Sequence, residues 1–189
     1  MNTYFVMHSA YTSSSSGMTL VELLISLAIM SILLGFGLAG FRVIHERWQV
    51  TQAIRAMESS FRLARSESIK RGGRVSIRKI ENEINGCQNA TTSREWGCGW
   101  LVYADQNSNG SWDAQHDTLL QEFRPDAKVN VRRSANGSSL NFNRYGMTHL
   151  NAIGFTFSLL PSDSTTQNAQ TLCISSGGRM RTIQATSCQ

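Results

Sequence analysis

The sequence predicts an α+β chain in which one long N-terminal helix packs on antiparallel β-sheet. An apolar run over residues 18–41 flows into a charged stretch that keeps helical periodicity, and Gly72-Gly73 ends it. Beyond the glycines, short segments rich in β-branched and aromatic residues alternate with Gly, Asn, Asp and Ser. A long helix followed only by strands is the pattern of helix laid on sheet, not of alternating βαβ units.

The helix is justified first. In the stretch from Met18 to Phe41, about 20 apolar residues rising ~1.5 Å each are enough to cross a ~30 Å hydrocarbon layer. One residue breaks the pattern: Glu22, the only charged residue before Arg42. A carboxylate at membrane depth costs on the order of 2.5–3.5 kcal/mol, so its presence there points to a role. Past the apolar run, Ile44, Trp48, Ile54, Met57, Phe61 and Ala64 recur at helical spacing with charges between them, which predicts a face turned toward a core. Lys70 and Arg71 suit the negative end of a helix stopping at the glycine pair, so the helix is expected over Thr19 to Arg71. Gly35, Gly37 and Gly40 are its weak points, at about 1 kcal/mol each relative to alanine.

Strands are expected at Arg74–Ile80, Trp100–Ala104, Thr118–Phe123, Lys128–Arg132, Ser139–Asn143, Gly154–Leu160 and Thr171–Ser175. Four cysteines fall into two local groups, Cys87 with Cys98 and Cys173 with Cys188. An even count in an exported chain reads as disulfides, and the grouping favours the two local pairs among the possible connectivities. Loops of these lengths contribute about 2–4 kcal/mol each when closed. Neither pair has Cys-x-x-Cys spacing, so no metal or redox centre is expected.

Charge and motifs exclude more than they include. The chain carries 18 Lys+Arg against 13 Asp+Glu, and every basic residue lies from Arg42 onward, a modest bias toward anionic partners. Asp105, Asn107, Asn109, Gly110 and Asp113 follow the early positions of a calcium loop, but His116 stands where the closing glutamate belongs. A hairpin turn accounts for the same residues. His8, His45, His116 and His149 are scattered without zinc spacing, and Gly97-Cys98-Gly99 lacks the third glycine of a dinucleotide fingerprint. No enzyme and no cofactor are expected. Trp96, Trp100 and Trp112 are expected as core and hairpin packing.

Gly177-Gly178-Arg179-Met180-Arg181 is the stretch with chemical intent. In extended chain, Arg179 and Arg181 point the same way about 7 Å apart, a spacing that suits neighbouring phosphates. Guanidinium forks bind phosphate bidentately, and the glycines leave room for a bulky duplex. A Cys173–Cys188 bridge would hold the segment as a loop and reduce the ordering cost of binding. Such contacts do not read bases, so binding is expected to be sequence-tolerant and salt-sensitive. Arg74, Arg78, Lys79, Arg132, Arg133 and Arg144 are candidate supporting cations.

Three groups of residues carry a family resemblance. Gly17-Met18-Thr19-Leu20-Val21-Glu22 before the apolar run resembles the processing site of type IV pilins and type II secretion pseudopilins. The resemblance implies cleavage by prepilin peptidase after Gly17, methylation of Met18, and Glu22 at the fifth mature position. There it would pair with the terminal amine of a neighbouring pilin subunit, since two opposite charges in an apolar bundle are tolerable only together. Two features depart from the pattern: Met18 replaces the usual phenylalanine, and Met1–Gly17 contains no Lys or Arg although family leaders are usually basic. The segment from Trp96 to Asp113, with Asn141-Phe142-Asn143-Arg144-Tyr145-Gly146, is similar to the core of the GspH/FimT family of minor pilins and pseudopilins. Gly178, Arg179 and Arg181 resemble the Gly-Arg-x-Arg signature of FimT-type pilins, which bind DNA during natural transformation.

The resemblance implies a type IV pilin-like fold with a leader at 1–17, a transmembrane and assembly half of the helix at 18–41, an amphipathic half at 42–72, and a β-rich domain at 73–189. It further implies a single pass through the inner membrane with the β-rich domain in the periplasm, followed by export into a pilus. The expected function is a minor pilin that binds extracellular duplex DNA through Gly178, Arg179 and Arg181. The alternative is a structural or priming subunit of a pilus or type II secretion pseudopilus with no DNA contact.

Overall fold

The structure is a computed structural model describing residues 17–148, 152–159, 169–175 and 177–188, with the side chains of 34–43, 152 and 159 outside the description. The expected leader up to residue 16, His149 and residues 160–168 lie outside the described residues. Helix α1 spans Leu20–Arg71. The chain divides into two compact units, Met1–Arg42 and Val43–Gln189.

In the first unit the helix starts for a local reason. Thr19 is its N-cap: the Thr19 hydroxyl accepts a hydrogen bond from the Glu22 backbone N–H at 3.3 Å, and the Thr19 carbonyl accepts from Leu23 N–H. This Thr-x-x-Glu spacing is that of a capping box, and it places the Glu22 carboxylate in the first turn, where the helix dipole favours negative charge. Leu20, Leu24, Leu27, Ile32 and Leu33 are all exposed. Among the described residues no helix is long and apolar enough to cross a membrane; the expected span 18–41 runs on into residues whose side chains lie outside the description.

The second unit is built on the later turns of α1. Val50, Ala53, Ile54, Met57, Phe61 and Ala64 form a buried stripe, at the three- and four-residue spacing that keeps side chains on one helix face. Ile44 and Trp48, expected on that face, are instead 66% and 58% exposed. The apolar periodicity of the sequence begins before the β-domain offers anything to pack against. The helix ends in a Schellman motif: Gly72, at φ 71°, follows Arg71, Gly73 N–H donates to Ser68 O at 2.6 Å and Gly72 N–H reaches toward Ile69 O. Glu67 pairs with Lys70 and Arg71 in the last turn.

Among the described residues eight strands follow: β1 Val75–Lys79, β2 Trp100–Ala104, β3 Thr118–Phe123, β4 Val129–Arg133, β5 Ser139–Phe142, β6 Ala152–Leu159, β7 Gln170–Ser175 and β8 Met180–Ile183. They form two antiparallel sheets, A in the order β3-β2-β1-β5 and B in the order β4-β6-β7-β8. Seven of the eight were expected, within a residue or two; β8 was not. The core joins the α1 stripe to Val75, Ile77, Trp100 and Val102 of sheet A and to Val131, Phe155, Phe157 and Leu172 of sheet B. Each such side chain contributes about 1.5–3 kcal/mol when fully buried. The helix-on-sheet α+β architecture is therefore the one the sequence predicts.

Disulfides join Cys87 to Cys98 and Cys173 to Cys188. The first closes a loop over a small satellite cluster of Ile80, Ala90 and Cys98.

A candidate nucleic-acid interface on sheet B

The expected loop around Arg179 and Arg181 is a β-hairpin. Strands β7 and β8 pair with Ile174 opposite Met180 and Cys173 opposite Arg181. The turn between them is closed by Gly178 N–H donating to Ser175 O at 2.8 Å and by Ser175 N–H donating to Arg179 O at 3.0 Å. The Ser175 hydroxyl accepts from Arg179 N–H at 3.1 Å. These bonds hold Arg179 in the ladder one step beyond Met180.

Alternation along the strands then sorts the faces. Phe155 and Leu172, paired across β6 and β7, are buried in the core, and Thr182, the β8 partner of Leu172, donates from its hydroxyl to Glu58 of α1 at 3.3 Å. That rung faces the helix. Arg179 and Arg181 lie an odd number of residues away and belong to the opposite, outer face, where both are exposed.

The C-terminal tail is strapped across the same outer face. Thr171 donates from its hydroxyl to Ala185 O, Thr156 to Thr186 O at 3.1 Å, and Cys188 is bonded to Cys173, the residue paired with Arg181.

Gly178 has a structural cause of its own. Gly178 sits at φ 79°, in the left-handed region that favours glycine. A Cβ there would meet Arg65 Nη1 at 2.5 Å, and the same guanidinium donates to Gly177 O at 3.3 Å. Gly177 has open space around it. The turn and the Arg65 contact are sufficient reason for Gly178. Gly178→Ala is therefore expected to cost about 1–2 kcal/mol in left-handed strain, whereas Gly177→Ala is nearly neutral; equilibrium urea unfolding of both variants checks the difference.

The candidate supporting cations separate into different environments. Lys79 is buried, its ammonium donating to Ala90 O at 2.8 Å and Thr92 O at 2.9 Å, with Glu81 alongside. Arg133 is 1% exposed, donates to Gly137 O at 2.7 Å and Ser139 O at 3.2 Å, and lies over the Trp96 ring. Burial pulls its guanidinium below the ordinary arginine range. Neither is available to a surface ligand, which corrects their place among the candidate cations: they hold loop carbonyls that would otherwise be unsatisfied. Arg78 pairs with Glu81 on sheet A, and Arg144 lies over Tyr145. Of the six, only Arg132 is exposed on sheet B.

The calcium-like segment is a carboxylate-capped loop. Asp105 accepts from Asn109 N–H at 3.2 Å and Gly110 N–H at 2.8 Å. Asp117 accepts from Gln106 N–H at 3.0 Å and Asp113 N–H at 2.9 Å. The Gln115 amide and then His116 hold the Asp113 carboxyl below the usual carboxylate range. Among the described residues no group of three or more His, Cys, Asp or Glu is placed to hold a metal ion. Trp96 packs edge-on to Phe155, Trp100 against Phe123 and Trp112 edge-on to Tyr103.

Comparison with known proteins fits this architecture. A family model described as type II transport protein GspH matches residues 53–178, and one for the prokaryotic N-terminal methylation motif matches residues 12–38. The chain belongs to the GspH family. Its members are minor pilins and pseudopilins, structural subunits of type IV pili or type II secretion systems. Two crystal forms of FimU, a type IV minor pilin of Pseudomonas aeruginosa strain PAO1, share the fold at 18% identity. The P65 form gives a TM-score of 0.52 over 70% of this chain and 91% of FimU. The P21 form gives 0.55 over 76% and 99%. No curated protein matches. Gly17, Met18 and Glu22 all fall within the methylation motif of this GspH-family chain.

Proposed function

We propose that this GspH-family chain is a minor pilin that enters a type IV pilus at or near its tip and binds extracellular duplex DNA through Arg179 and Arg181, for natural transformation. Prepilin peptidase cuts after Gly17 and the new Met18 terminus is methylated. The apolar half of α1 anchors the subunit in the inner membrane with its β-domain in the periplasm. Glu22 then pairs with the terminal amine of a neighbouring pilin subunit as the filament forms. Gly178 serves by making the turn that presents the arginines.

The observation that carries the DNA reading is the ladder register. It sets Arg179 and Arg181 on one exposed face of an edge strand, braced by the Cys173–Cys188 bridge. Two guanidinium forks about 7 Å apart on a fixed strand match successive phosphates without ordering a loop. The type II transport description of the family favours one rival, a pilus-priming or pseudopilus subunit touching only other pilins.

An electrophoretic shift with the full chain in detergent separates the two. The wild type is expected to retard duplex DNA of unrelated sequences alike, and Arg179→Ala with Arg181→Ala is expected to remove most of that retardation. No retardation by the wild type would favour the rival, and equal retardation by wild type and double variant would take the DNA contact off Arg179 and Arg181.

A further inference from the structure

The outer face of sheet B carries a second basic feature that none of the sequence motifs marks. A groove runs between the β4 edge and the strapped C-terminal tail, lined by Arg94, Arg132, Ser134, Thr156, Thr186 and Ser187 among others. Among the described residues no Asp or Glu lines it. Glu95, which a β-bridge pairs with Arg132, has its carboxylate turned into its own loop, accepting from the Thr91 hydroxyl and from Thr92 N–H at 3.0 Å. Those bonds, the Thr91 hydroxyl foremost, hold it below the usual carboxylate range. Arg94 donates through Nε to Arg133 O at 3.3 Å, which fixes its stem and leaves the end of the fork for another acceptor. Guanidinium forks beside the Ser134, Thr186 and Ser187 hydroxyls, with the Glu95 carboxylate engaged in its own loop, are the chemistry of a phosphate oxyanion site.

Register places this groove on the same face as the hairpin arginines. Arg132, Thr156, Thr171 and Ile183 share one rung across sheet B, and Arg181 lies two residues from Ile183 on that side. Strand β4 is three strand spacings from β8, or ~14 Å at about 4.8 Å per spacing. Arginines at the two edges of the sheet are therefore spaced on the scale of a duplex groove, roughly 6–12 Å wide.

We infer that the Arg94–Arg132 groove is a second phosphate-binding site, so that duplex DNA laid on Arg179 and Arg181 continues across the outer face of sheet B and meets the protein again at β4. This inference rests on the DNA reading above and extends it from one strand edge to a surface. The C-terminal tail forms the floor between the two arginine pairs, and its Ala185 and Thr186 carbonyls are already taken by Thr171 and Thr156.

The test is fluorescence anisotropy with a labelled duplex and the full chain in detergent. The variants are Arg132→Ala, Arg94→Ala with Arg132→Ala, and Arg179→Ala with Arg181→Ala. Arg132 is exposed on β4, so its single replacement is expected to keep the fold. Arg132→Ala is expected to weaken binding severalfold, and the Arg94/Arg132 pair about tenfold or more, with a salt dependence shallower by about two phosphate contacts. Wild-type affinity in both groove variants, together with weak binding by the Arg179/Arg181 variant, overturns this inference and leaves the hairpin reading standing. Weak binding in the groove variants alone upholds the groove and removes the hairpin. A wild type that does not bind DNA overturns both.

Discussion

Trp100→Ala is expected to destabilise the β-domain by about 3–5 kcal/mol, the usual cost of emptying a large aromatic site. Trp100 is fully buried where α1 meets sheet A. Its indole N–H donates to the Ser60 hydroxyl at 2.9 Å, and that hydroxyl is placed against Ala56 O and Gln121 Oε1. One side chain thus fills the helix–sheet interface and satisfies a buried polar cluster. Alanine leaves a cavity and takes from the buried Ser60 oxygen the donor it accepts from, two losses that compound. Trp100→Phe keeps most of the volume and loses only the donor, so it is expected to cost less than half as much. Equilibrium urea unfolding followed by far-ultraviolet circular dichroism reads both. A loss under about 1 kcal/mol for the alanine variant would show that the interface is not where the domain is held.

Removing the second disulfide is expected to have the next largest effect, and to act on both stability and binding. Cys173 and Cys188 are separated by 15 residues, and closing a loop of that size contributes about 3 kcal/mol. The bridge also pins the tail that covers sheet B, with Cys173 directly opposite Arg181. Cys173→Ser with Cys188→Ser is therefore expected to lower the unfolding midpoint in urea. It is also expected to weaken DNA binding by severalfold under conditions where the variant remains folded, because Arg181 loses its bracing. Cys87→Ser with Cys98→Ser, closing a loop on the far satellite cluster, is expected to cost stability while leaving DNA binding unchanged. Equal losses of binding in the two pairs would disconnect the bridge from the interface.

Local signals carried most of the fold. Gly72-Gly73 stops α1 through backbone geometry that glycine alone makes easy, and such a signal reads directly from sequence. Strands β2 and β3 are bounded by turn residues and were legible to the residue. Strand β8 was not: Met180–Ile183 is four residues long and exists through its pairing with β7. Partner-dependent structure misled in the other direction at Ile44 and Trp48, whose periodicity promised a core that begins only at Val50. Charge was the poorest guide. Lys79 and Arg133 read as surface cations, and nothing local tells that loop carbonyls at Ala90, Thr92, Gly137 and Ser139 close around them. The hairpin arginines were found by motif. Arg94 and the tail strap depend on contacts that sequence spacing does not encode.

A cation surface that grips phosphates leaves its count in the salt dependence of binding. The direct measurement is duplex affinity of the full chain across a series of salt concentrations, wild type against Arg179→Ala with Arg181→Ala. Each lost phosphate contact lowers the slope of log affinity against log salt by about 0.9. The variant is expected to bind more weakly with a slope shallower by nearly two. Parallel lines of equal height would contradict it, placing whatever basic attraction remains elsewhere on the molecule.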